Sequence, residues 1–472
     1  MSSTFPHVAG IAGDFRLSYS SSTMARTTLA SVQIDVKEES QELPRPDSDE
    51  PFRILVAGNF SGGASRIRKP VAIDRDNFDE VLALFGPEIR VECAKAPLAV
   101  GFREIDDFHP DRLFERLAPF QSLRNLREQL EDGGILPAAP PLPHMGGADL
   151  LSMMMGDEPG TAAAPVSRNA WDAMLHEIVA PYAEPKPDPR QPEFIRQTDA
   201  AITGEMRALL HQPEFQALEA AWRGLFFLTR RLETGETLKI YVWDMPQAEL
   251  VSPEGLATLR RILVDETVGT PGGLPWGMVA GLYAFGPEDA PLLAQIAAIV
   301  RAAGAPLVAG VAPDVLGLTR AFDTLRRSTD ARWVGLAMPR FLLRLPYGEK
   351  TDATERFAFE EMPTPPEHER YLWCNPAIAC AFLLGEAFTR SGWEMRPGQV
   401  SDITGLPAHV YQKDGEAELK PCAEVLLTEE AVDLLLAGGL MPLISIKGAD
   451  RVKLARFQSI ALPAAPLAGR WG

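Results

Sequence analysis

Apolar residues recur along this chain with two different periods, and the switches between them mark out its elements. Val32, Ile34 and Val36 alternate with Gln33, Asp35 and Lys37, the period of a half-buried strand. An acidic, proline-containing tract from Glu38 to Pro51 follows, leaving this strand alone on a tether. A single strand cannot stabilise itself. It is expected to join a sheet edge, one that can belong to another subunit. Phe52-Arg-Ile-Leu-Val-Ala-Gly reads as a buried strand ending in a turn, with Val71-Ala-Ile as a second and Ile89-Arg-Val-Glu-Cys as an alternating third. Asn77 to Phe85 carries Phe78, Val81, Leu82 and Phe85 on one helical face. One amphipathic helix is expected over Asp111 to Leu130, entered at Pro110.

Gly, Pro, Ala and Met dominate the stretch from Gly133 to Gly160, which reads as a mobile linker. Within it, Leu150 to Met155 is apolar enough for a docking peptide. A short helix is expected at 169–182 and a second, proline-rich hinge at 185–192. Beyond lies the largest unit. Helix Glu214–Arg231 has Phe215, Leu218, Trp222 and Leu225 at core spacing with Arg223, Arg230 and Arg231 outside, and Leu238-Lys-Ile-Tyr-Val-Trp alternates as a strand. Gly277–Ala284 and Pro306–Val311 are apolar strands flanking a helix over Pro287–Ala303, a βαβ unit with parallel strands. Helix Pro376–Ser391, strand Val425–Leu427, helix Glu429–Ala437 and strand Leu443–Ile446 continue the alternation. The fold class is α/β, with mixed sheets flanked by helices and an extended N-terminal strand arm. The expected units are a tail and arm over 1–50, a domain over 51–132, a linker over 133–192 and a domain over 193–472.

Charge narrows the partners. The formal net charge of −18, from 64 acidic and 46 basic side chains, repels nucleic-acid phosphates and anionic membrane surfaces. Nucleic acid is therefore not the expected ligand. No apolar run reaches the roughly 18 residues of a membrane span, and the N-terminus lacks the basic start and apolar core of a secretion signal. A cytoplasmic location without membrane insertion is expected. Cys93, Cys374, Cys380 and Cys422 form no C-x-x-C pair and have no His at metal-ligand spacing. Buried free thiols in a reducing compartment fit this usage, and no metal or cofactor is expected.

Catalytic signatures are absent from the sequence: no H-E-x-x-H, no G-x-S-x-G and no G-x-x-x-x-G-K-[ST]. Gly58-Asn-Phe-Ser-Gly-Gly follows a strand but lacks the phosphate-reaching lysine, so a structural turn is expected. Gly269-Thr-Pro-Gly-Gly-Leu-Pro-Trp-Gly holds no nucleophile with a base, and a rigid turn is expected there too. His109 and His211 stand at proline-marked helix entrances, where capping or surface roles are expected. Arg340-Phe-Leu-Leu-Arg-Leu-Pro-Tyr-Gly sets two guanidinium groups, Arg340 and Arg344, beside apolar residues. These can bind phosphate or pair across an interface, and in an acidic chain ion pairing with carboxylates is the expected use. The chain is not expected to be an enzyme.

Longer blocks are more specific. Phe52-Arg-Ile-Leu-Val-Ala-Gly-Asn-Phe-Ser-Gly, the stretch from Arg68 to Leu82 and Phe102-Arg-Glu-Ile-Asp-Asp-Phe-His-Pro-Asp resemble the small sheath subunit of type VI secretion (TssB/VipA-like), over about residues 27–130. The stretch Leu210 to Leu225, Gly269-Thr-Pro-Gly-Gly, Trp333 to Gly348, Tyr371-Leu-Trp-Cys-Asn-Pro-Ala and Ala387-Phe-Thr-Arg-Ser-Gly-Trp are similar to the large sheath subunit (TssC/VipB-like), over roughly 167–460.

The resemblance implies a structural subunit of a contractile tube. In that family, subunits assemble around an inner tube protein and contraction drives the tube and its effectors into a target cell. Exchanged strands link neighbouring subunits, and the strand carrying Val32, Ile34 and Val36 corresponds to one near the small subunit's N-terminus. The family's recycling unfoldase docks at the large subunit's start, which the joining region replaces here. The family's large subunit also continues well beyond Phe457-Gln-Ser. That departure implies a donor-only subunit suited to a sheath end, as a cap or adaptor. The alternative is a non-polymerising regulatory module that binds sheath subunits.

Overall fold

The computed structural model describes residues 46–63, 67–93, 96–131, 191–312 and 321–471. At its centre is the strand whose sequence is apolar almost throughout. Phe52–Gly58 (β1) is buried at every position except Arg53, and a strand covered on both faces belongs inside a parallel sheet. It pairs in parallel with Leu238–Asp244 (β5) on one side and Met278–Phe285 (β6) on the other, aligning Phe52 with Leu238 and Ile54 with Met278. Outward from β6 come Leu307–Val311 (β7), Val334–Met338 (β8) and Leu440–Ser445 (β14), all parallel. Antiparallel strands finish both ends of this nine-stranded sheet. Val71–Ile73 (β2) lies beside β5, while Val452–Leu454 (β15) and Asp402–Ile403 (β11) lie beyond β14. Smaller pairs are Glu88–Cys93 (β3) with Ala96–Gly101 (β4), Phe341–Leu342 (β9) with Trp373–Cys374 (β10), and Val410–Lys413 (β12) with Glu416–Leu419 (β13).

The helices follow from apolar stripes of 3.6-residue period. Among them are Phe78–Phe85 (α1), Pro110–Arg116 (α2), Ala118–Glu131 (α3), Gln191–Leu210 (α4), Pro213–Arg231 (α5), Ala290–Ala303 (α6), Pro376–Ser391 (α7) and Glu429–Ala437 (α8). Successive β1 residues point to opposite faces and so feed two cores. Ile54 and Val56 join Trp222 and Leu225 of α5 and Ile378 of α7. Leu55 and Ala57 join Leu293, Ile296 and Val300 of α6. The mixed sheet with helices on both faces is the α/β architecture read from the alternation of elements.

Segment 51–132 keeps the β3–β4 pair to itself, but its principal strand joins the sheet of the other segment. That strand, β1, lies between β5 and β6 of segment 193–472, and all described residues belong to one compact unit. Helices α3 and α4 pack side by side, tied by Arg127 Nε to Asp199 at 2.7 Å and by the Gln191 amide to the Leu130 and Glu131 carbonyls.

Several local expectations change. The helix expected over Asp111–Leu130 is two, because Leu117 is extended (φ −85°, ψ 131°). In a continuous helix Pro119 would have no N–H to donate to the carbonyl of Glu115, and its ring would crowd that oxygen. Val425–Leu427 forms no strand, and Val425 and Leu426 lie exposed in the approach to α8. Helix α4 starts inside the stretch read as a hinge, because Pro192 is tolerated in a first helical turn. The Gly58–Gly63 loop is a turn, with Gly62 at φ 76° and its N–H bonded to Asn59. All four cysteines are free and buried. The strand at Val32–Val36, the helix at 169–182 and the stretch Leu150–Met155 lie outside the described residues.

Candidate functional site

Two of the residues singled out in the sequence fall in the segment that follows β8, and the structure gives them different environments. Arg340 is half exposed and grips Glu424 with both arms of its guanidinium, Nε to Oε2 at 2.9 Å and Nη2 to Oε1 at 2.5 Å. Burial pushes the Glu424 carboxyl up, but the hydrogen bond and charge of Arg340 outweigh this and hold it below its ordinary value. An exposed pair of this kind is worth about 0–1 kcal/mol.

Arg344 is nearly enclosed, with 10% of its side chain exposed. Its Nε lies 2.8 Å from Glu219 Oε1 and its Nη1 2.7 Å from Glu361 Oε2, and it stacks 4.2 Å over the Tyr347 ring. Glu219 sits on α5, fully buried, and also accepts from Arg223 Nε one turn on at 2.7 Å. Arg223 Nη2 reaches the Tyr347 hydroxyl at 2.9 Å. Glu361 accepts from the Tyr347 N–H at 2.8 Å and lies 3.2 Å from His211 Nε2. The four carboxylate oxygens of Glu219 and Glu361 are therefore all engaged, as buried charges require.

The electrostatics follow from this closure. Burial pushes the Glu361 carboxyl up, but Arg344 and the bond from His211 overcome it and bring it down to about 2. Burial works against the Arg344 charge, yet Glu219 and Glu361 raise it well above its ordinary value. Burial pushes the Tyr347 hydroxyl up to about 12 against the pull of the two arginines.

The cluster also joins distant parts of the chain. The His109 ring meets Tyr347 edge-on at 4.9 Å, and the Asp111 carboxylate accepts from the Glu355 and Arg356 N–H groups at 2.9 and 3.1 Å. Phe114 of α2 stacks on Phe357 at 4.5 Å. The segment from Arg344 to Glu361 is thus clamped between α2 and α5. The charges of Arg344, Glu219 and Glu361 hold this structure in place.

His109 caps α2, accepting from the Asp111 N–H at 3.2 Å. His211 departs from its expected capping or surface role, because it is largely buried against Glu361. Glu219 and Glu361 were not singled out in the sequence, and Arg223, expected on the outer face of its helix, instead turns inward to Glu219 and Tyr347. A signal existed for the Glu219–Arg223 pair: Glu219 sits beside Leu218 and Trp222 on the apolar stripe, with Arg223 four residues on. Val32, Ile34 and Val36 lie outside the described residues. Among the described residues no group of His, Cys, Asp and Glu side chains could hold a metal ion, and no helix is long and apolar enough to cross a membrane.

Comparison with known proteins converges on one system. Residues 192–323 and 319–461, together more than half of the chain, match the family described as VipB, "EvpB/VC_A0108, tail sheath N-terminal domain". Residues 25–133 match the family described as "Type VI secretion system, VipA, VC_A0107 or Hcp2". Over 310 residues the chain is 35% identical to the type VI secretion system sheath protein TssC1 of Pseudomonas aeruginosa, covering 57% of this chain and 61% of that protein. The chain spans less than two thirds of the length of this curated relative.

Proposed function

Since this chain belongs to the type VI secretion tail-sheath family, we propose that it is a structural, non-catalytic subunit of a contractile sheath. In this reading one polypeptide supplies what two sheath subunits otherwise bring together. The observation that carries it is β1, from the VipA-like segment, paired on both sides by strands of the VipB-like segment. A piece that forms the middle of a sheet cannot be an independent appendage. The clamp around Arg344 ties the same two segments a second time.

The arm carrying Val32, Ile34 and Val36 links subunits by adding a strand to a neighbour's sheet, since main-chain pairing at an edge is a general mode of association. The described edges end on short antiparallel strands, β2 with three residues and β11 with two. Short edge strands discourage indiscriminate pairing and leave specificity to a dedicated arm. Assembly around the inner tube protein, contact with the recycling unfoldase and a cytoplasmic site of action belong to the same reading. A position at a sheath end, as a cap or adaptor, is one form of it.

Negative-stain microscopy of the purified chain, alone and mixed with sheath subunits from the same system, tests this. Tubes from the chain alone identify a full sheath subunit, and decoration confined to tube ends identifies a cap or adaptor. A soluble complex of fixed size that never joins a tube would replace this reading with a regulatory module. Failure to bind sheath subunits at all would overturn both.

A further inference from the structure

The hairpin β12–β13 turns at Asp414 and Gly415, whose φ values of 53° and 86° suit a tight two-residue connection. Its base is closed by the Lys420 N–H donating to the His409 carbonyl at 2.8 Å. Behind that base lies a cluster of titratable side chains outside the Arg344 network. The Tyr371 hydroxyl is 2.6 Å from His409 Nδ1, and Lys420 Nζ is 2.9 Å from His368 Nδ1. The same Nζ lies 4.6 Å from the centre of the Tyr371 ring and 5.7 Å from that of Trp373.

We propose that Lys420 is a preferred acylation site of this protein, with acyl phosphates as the donor class and His368 as the proton acceptor. The geometry supplies what an amine nucleophile needs. The Tyr371 and Trp373 rings position the Lys420 head group, although their faces favour its charged form, and its hydrogen-bond partner is a ring nitrogen able to take a proton. Lys420 and His368 are both half-buried, so a small donor can reach them from solvent. Burial lowers the Lys420 ammonium below its ordinary value, with the Glu369 carboxylate opposing. Burial and the charge of Lys420 lower His368 as well, against Glu424 and Glu369 and with Arg340 adding to the effect. More neutral amine is then present than on an open lysine, the usual route to a reactive lysine.

In the step, the lone pair of the neutral amine attacks the acyl carbonyl carbon and a C–N bond forms. The bond from that carbon to the phosphate oxygen breaks, and phosphate departs with the electron pair. The amine proton passes to His368 Nδ1. The product is an uncharged amide at the root of the hairpin.

Lys413 of the same hairpin is the internal control, being exposed and 3.8 Å from Glu418. The full chain is incubated with acetyl phosphate and acetylation is followed at each lysine by peptide mass spectrometry. Lys420 is expected to react several-fold faster than Lys413, with its rate levelling off at lower pH. In His368→Gln the ratio is expected to fall towards one while Lys413 keeps its rate. Equal rates at the two lysines of the unaltered chain would overturn the proposal. If His368→Gln disturbs the hairpin, the pH profiles of the unaltered chain decide: coincident profiles for Lys413 and Lys420 sink it.

Discussion

The indole N–H of Trp222 donates to the backbone carbonyl of Phe60 at 2.9 Å, across 162 positions of sequence. Around that bond the rings of Phe60, Phe85 and Phe78 stand edge-on to the indole at 5.2, 5.7 and 6.0 Å. One aromatic side chain of the VipB-like segment thus fills a socket made by the VipA-like segment. Trp222→Ala removes both the packing and the donor, and truncating a buried aromatic costs about 3–5 kcal/mol. A melting temperature like that of the unaltered chain would show that the socket does not hold the segments together.

The same topology predicts that the covalent joint is dispensable once the chain has folded. With β1 between β5 and β6, removing it would split the sheet and uncover both cores. Cleavage at a protease site introduced between residues 139 and 165 is expected to leave two fragments that co-elute on size exclusion. Separation of the fragments without denaturant would refute this.

The two arginines singled out in the sequence are expected to differ sharply. Arg344→Met strands Glu219 and Glu361 as buried carboxylates without their shared partner, and breaking a buried pair costs about 3–5 kcal/mol. Arg340→Ala removes a half-exposed pair worth about 0–1 kcal/mol. Chemical denaturation of both variants measures the contrast, and equal losses would contradict the burial difference seen here.

Glu361 couples stability to acidity. Its folded-state value of about 2 lies below the ordinary 4.5, so its contribution is complete above the unfolded value. That contribution is lost as pH falls from about 4.5 towards about 2. The denaturation midpoint is expected to drop between about pH 5 and about pH 3 in the unaltered chain. In Glu361→Gln, less stable throughout, the drop is expected to be smaller. Parallel curves for the two proteins would remove Glu361 from the account.

Deleting residues 27–37 tests the arm. On the proposed exchange role, assembly with sheath subunits is expected to fail while the melting temperature stays unchanged, because the segment would add its strand to another chain's sheet. Undiminished assembly after the deletion would refute the exchange role.

Periodicity alone determined much of this protein. β1, α1, the core face of α5 and the parallel unit β6–α6–β7 were all legible, because a buried face imposes its own repeat of two or 3.6 residues. The two long blocks of resemblance were legible for the same reason: they are contiguous runs of sequence. Partners were not. A repeat says that a face is covered and leaves open what covers it, and closing a longer loop adds little entropic cost. Sequence distance therefore neither forbids nor selects the pairing of Phe52 with Leu238, or the meeting of Arg344 with Glu219 across 125 positions. Local breaks were lost too where a single residue overruled the repeat, as Pro119 does at the α2–α3 joint. Only the tertiary structure brought Glu219, Glu361, Arg223 and His211 around one guanidinium. Buried charges must find opposite charges in space, and no repeat along the chain encodes where those will be.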